Sequence, residues 1–132
     1  MKKIFILIFT FSINLIYSKE IQVNLLELYK ELHANPELSY QEYETSKKLA
    51  SLLESIGYQV TRNVGGNGVV ALLENGDGNT VMFRADMDGL PVEEKTGASY
   101  ASKNRVKNLE GEEVFTMHAC GHDVHMTVLI GV

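Results

Sequence analysis

The stretch GVVALLENGDGNTVMFRAD, residues 68–86, constrains the fold more than any other part of the chain. Its apolar runs are nearly continuous instead of alternating. Strands of that kind are covered on both faces, which requires other layers above and below them. The stretch reads as a hairpin, with strands over 69–73 and 80–85 and a turn over 75–79. Two amphipathic helices come first. In NLLELYKELHANP, Leu25, Leu28, Tyr29 and Leu32 fall at i, i+3, i+4 and i+7, one helical face. Asn24 and Glu27 suit the start of that helix, and Pro36 restricts Asn35 and ends it. In SYQEYETSKKLASLLESIG, Ser39 and Glu42 form an S-x-x-E capping box. Leu49, Leu52, Leu53 and Ile56 continue the stripe, and Gly57 stands where a C-terminal cap belongs. Helices followed by buried strands predict a layered α/β domain. YQVTR and residues 114–117 read as short strands, 89–113 as a long charged loop, and a last helix begins at Asp123.

The first eighteen residues are of another kind. Lys2 and Lys3 precede an apolar run from Ile4 to Ile16, and Ser18 is a small residue at its end. That is the layout of a secretory signal, and the run is shorter than the ~20 apolar residues of a spanning helix. The expected organisation is a signal peptide over 1–18 and a single domain from 19 to 132, exported to the periplasm or the cell exterior. A retained N-terminal anchor is the other reading. The net charge of −5 gives no footprint for nucleic acid, nor for an anionic membrane once the signal is removed. Export sharpens the position of Cys120, the only cysteine. A lone thiol in an oxidising compartment calls for burial, an intermolecular partner or a metal.

Two clusters carry chemistry. MHACGHDVHM, residues 117–126, holds three of the four histidines. Cys120 and His122 flank Gly121, which lets the backbone turn so that both side chains face one point. Thiolate and imidazole suit zinc and similar divalent metals, but a catalytic zinc takes three protein ligands. A buried cysteine beside a helix-capping histidine fits the same spacing, and so does a Cys120 nucleophile with His118 or His122 as its base. In FRADMDG, Arg84, Asp86 and Asp88 are spaced by two and share one face of an extended segment. Carboxylates at a strand end hold a metal or a metal-bound histidine, or make an Arg–Asp surface pair. Glu93 and Glu94 read as solvated members of a charged loop, and His33 as a structural polar residue. His125, one turn after His122, either supports the site or packs.

The order of the motifs LHANPELSYQE, GVVALLENGDG, FRADMDGLPVEEKTG, YASK and MHACGHDVHMTVLIGV resembles successive blocks of one family, over residues 21–132. It is that of the metallopeptidase-type amidohydrolases: hippurate hydrolase, N-acyl-L-amino-acid amidohydrolase and the indole-acetyl-amino-acid hydrolases. These belong with the aminoacylases and carboxypeptidase G. Gly89 stands where the family pattern has alanine.

The resemblance implies a catalytic domain with a mixed sheet between helices and a separate lid domain. It implies that Cys120 and His122 are metal ligands and that Asp88 orients a metal-bound group. Asp86, His118 and Asp123 become supporting partners. The implied cofactor is a pair of divalent ions, Zn, Mn, Co or Ni, and the implied substrate an N-acyl amino acid or a short peptide-like amide. Full-length relatives are expected to form homodimers. The family's general base and later histidine ligands lie downstream of HACGHD. The sequence given has no such positions, so it is expected to be the N-terminal portion of the enzyme, without the lid and inactive alone. The rival expectation is an exported, non-enzymatic remnant that binds a metal or a partner.

Overall fold

The computed structural model describes residues 23–132. The predicted signal at 1–18 lies outside the described residues. Three helices and two small antiparallel sheets follow the order α1 (Leu25–Ala34), α2 (Tyr43–Ser55), β1 (Gln59–Val64), β2 (Gly68–Leu72), β3 (Arg105–Lys107), β4 (Glu113–Phe115) and α3 (His122–Gly131). No helix among the described residues is long and apolar enough to cross a membrane.

The helices form where the apolar period places them. Asn24 caps α1 by accepting the amide of Glu27 at 3.2 Å. Leu28 and Leu32 of α1, Leu49 and Leu53 of α2, and Met126 and Ile130 of α3 make one buried cluster. Each such side chain contributes about 1.5–3 kcal/mol by leaving water. Gly57 ends α2 with φ 100°. The Gly57 amide donates to Glu54 and the Tyr58 amide to Leu53, at 3.1 and 3.0 Å, the paired bonds of a Schellman cap.

The start of α2 departs from the expected capping box. No side chain of its N-cap residue, Glu42, bonds the helix. The carboxylate of Glu37 does so from outside, accepting the amides of Glu44 and Thr45 at 3.1 and 2.7 Å. That leaves Ser39 free for another partner.

The hairpin also differs. β2 pairs with β1, in the register Gln59↔Leu72, Val60↔Ala71 and Thr61↔Val70. The turn runs through Gly65 and Gly66, both at positive φ, and Asn63 at φ 60° marks the bulge before it. Residues 80–85 are not in a strand. Val81, Met82 and Phe83 face solvent, at 73%, 83% and 66% exposure, while Ala85 packs against the core. A continuous apolar run marks a segment as strand-like but does not choose its partner, and GGN at 65–67 supplies the nearer turn. The long loop is shorter than expected, because β3 and β4 pair across Arg105↔Phe115 and Lys107↔Glu113.

Candidate metal site

His122 opens α3, and Gly121 before it lies in the left-handed region at φ 80°. The glycine turns the chain between Cys120 and the helix. The ring of His122 is fixed from one side: Nδ1 lies 2.9 Å from the Asp88 carbonyl oxygen and 2.9 Å from its Oδ1. With Nδ1 donating to these oxygens, the neutral ring has its lone pair on Nε2. The other carboxylate oxygen of Asp88 accepts the Ser39 hydroxyl. Burial works to raise the Asp88 pKa, and the bonds from Ser39, the backbone and His122 outweigh it and hold the group below its ordinary value.

Cys120 is exposed and forms no disulfide. An exposed thiol two residues before an imidazole with a free Nε2 is a donor pair that fits zinc and other borderline divalent ions. A carboxylate behind the ligand's other ring nitrogen is the usual arrangement around a bound metal. Among the described residues, no three His, Cys, Asp or Glu side chains gather as a metal cage.

The remaining candidates fall elsewhere. Asp86 pairs with Arg84 on the surface. His118 is buried, and neither ring nitrogen has a hydrogen-bond partner. Burial holds its pKa below the ordinary histidine value. His125 is exposed and lies 5.8 Å from His122, ring centre to ring centre. Asp123 turns away from the surface. Its Oδ2 lies 2.7 Å from Nδ1 of His33, and its Oδ1 accepts the Val124 amide.

Glu94 corrects the reading of the charged loop. Its side chain is fully buried, with Oε1 3.0 Å from Nε2 of His33. It also accepts the Thr96 hydroxyl and the Ser102 amide. Only Glu93 behaves as expected, pairing at the surface with Lys95. Burial works to lower the pKa of His33, but the bonds from Glu94 and then Asp123 raise it. Glu94 is held low in turn: its hydrogen bonds from Thr96, His33 and Ser102 outweigh the upward push of burial. A histidine with a carboxylate on each nitrogen donates from both, so His33 is an imidazolium in this network. Glu94 gives no local signal of burial. Its partner is 61 residues away, and its place in the LPVEEKTG block is the only hint in the sequence.

The chain is similar to several known proteins. Residues 82–132 match the family described as Peptidase family M20/M25/M40. Thermostable carboxypeptidase 2 of Saccharolobus solfataricus is 44% identical over 115 residues, covering 86% of this chain and 27% of that protein. Hippurate hydrolase of Campylobacter jejuni is 39% identical over 84% of this chain and 27% of its own length. The chain thus spans 27% of each of these relatives. In structure it is similar to the Bacillus subtilis YXEP protein, described as a dinuclear metal binding peptidase of the M20 family. That match has a TM-score of 0.68 and 38% identity, and covers 81% of this chain and 28% of that one. Residues 82–132 thus match the M20 family model, and the described fold is similar to part of an M20 peptidase.

Proposed function

We propose that the chain forms a segment of the catalytic domain of an exported, metal-dependent amidohydrolase, acting on N-acyl amino acids or peptide-like amides. The observation that carries this reading is the hold of Asp88 on Nδ1 of His122, beside the exposed Cys120, in a chain similar to hippurate hydrolase. Export rests on Lys2, Lys3 and the apolar run that follows. In this reading Cys120 and His122 are ligands and Asp88 orients His122.

A pair of divalent ions, Zn, Mn, Co or Ni, supplies when bound the acidity that activates water and polarises the amide carbonyl. The chain's own residues prepare for that. Asp88 fixes the ring and tautomer of His122. The network of His33 and Asp123 fixes the first turn of α3. Glu94 is not the general base of hydrolysis, because its carboxylate is buried and occupied by His33, Thr96 and Ser102. In this reading the chain supplies only some of the ligands of the complete site, and it is expected to turn over no substrate by itself.

The test is a segment exchange. The matching part of the Campylobacter jejuni hippurate hydrolase is replaced by residues 23–132 of this chain. The folded chimera is expected to hydrolyse hippurate, and Cys120→Ser or His122→Ala to abolish turnover. A folded chimera without activity favours a non-enzymatic remnant of the family. An active chimera indifferent to both substitutions refutes the ligand assignment.

A further inference from the structure

We propose that Ser39 is a positioning residue for His122: acting through Asp88, it keeps Nδ1 of that ring protonated and Nε2 free. The hydroxyl of Ser39 donates to one carboxylate oxygen of Asp88, while the other oxygen faces Nδ1 of His122. The three side chains form a line from the loop after α1 to the first residue of α3. A carboxylate bonded at one oxygen only can rotate away from the imidazole. A second bond at the other oxygen fixes its plane.

The backbone around Ser39 is built for this contact. Leu38 bridges Gly89 in parallel, and the Gly89 amide donates to the Glu37 carbonyl at 2.6 Å. A Cβ at Gly89 would stand 2.8 Å from Cβ of Pro36, so the bare glycine lets residues 36–39 lie against the Asp88 segment. The chain then turns sharply. The Gln41 amide donates to the Leu38 carbonyl at 2.9 Å. Tyr40, third in that turn, sits at φ 67°, where glycine or asparagine is usual. Tyr40 is exposed, so packing of its ring does not explain the strain. The turn directs Ser39 to Asp88.

The competing role for Ser39 is to cap α2. The structure assigns that work to Glu37, whose carboxylate takes the Glu44 and Thr45 amides.

The experiment uses the whole chain without metal, at mildly alkaline pH where free imidazole is neutral. Long-range proton–nitrogen NMR reads the tautomer of His122, its signals assigned by their loss in His122→Gln. The wild type is expected in the Nδ1–H form. Ser39→Ala should move the ring toward the tautomer ratio of free imidazole without changing the melting midpoint, since Ser39 is exposed. Ser39→Thr, which keeps the hydroxyl, should restore the wild-type ratio. A ratio unchanged in Ser39→Ala overturns the proposal. A zinc titration forms the second arm, and it alone rests on the reading of His122 as a ligand. Ser39→Ala should weaken zinc binding about 10-fold or more, in the range seen when a ligand's supporting partner is removed. A moved tautomer with no zinc bound by either protein supports the role of Ser39 and refutes the ligand reading. An unmoved tautomer with zinc bound through Cys120 and His122 refutes only the role of Ser39.

Discussion

Nδ1 of His33 lies 2.7 Å from the carboxylate of Asp123, a contact that joins residues 90 positions apart. On its other side the same ring meets Glu94, so one imidazolium ties α1 to the central loop and to the start of α3. Removing it leaves two buried carboxylates without their shared cation. His33→Ala is therefore expected to cost about 3–5 kcal/mol, the scale for stranding a buried charge. Denaturant titration of the whole chain measures it, and a loss below about 1 kcal/mol would contradict the cost expected for a stranded buried charge.

The same network sets a pH dependence with two limbs. The folded pKa of His33 is raised. Its contribution is complete below the unfolded histidine value and is lost as pH rises through the folded one. The folded pKa of Glu94 is lowered. Its contribution is present above the unfolded carboxyl value and is lost as pH falls through the folded one. Stability from this network should peak between the two and fall on both sides. Melting temperatures measured across pH should show the alkaline limb flatten in His33→Gln. A limb of unchanged slope would show that the imidazolium is not its source.

How far the sequence could be read depends on the range of the interactions. The caps at Asn24 and Gly57 and the apolar faces of α1 and α2 are local, and they appear where the period puts them. The partner of β2 is not local. Both GGN and the later ENGDGN are turn-formers, and a run such as VVALL pairs as readily with the strand before it as with one after it. Glu94 and Ser39 were hidden for a related reason. Each sits in a polar stretch that reads as solvated or as a cap, and its burial or bonding comes from a residue tens of positions away. The ligand candidates Cys120 and His122, with Asp88 as the group that orients, stood out because motif order, and not spacing alone, marked them.

Residues Val81, Met82 and Phe83 place adjoining apolar side chains in solvent, and such patches drive association. The purified chain is expected to self-associate as concentration rises. Val81→Ser with Phe83→Ser should lower its apparent mass in sedimentation, with α-helical content unchanged. Equal association of both proteins would place the sticky surface elsewhere.

Cobalt(II) titration of the whole chain tests the central claim most directly, because Cys120 is its only thiol. Ligation by Cys120 and His122 predicts a near-ultraviolet thiolate-to-cobalt absorption that saturates. It should vanish in Cys120→Ser and weaken in His122→Ala. No such band in the wild type, or one that survives Cys120→Ser, would contradict the assignment of these residues as metal ligands.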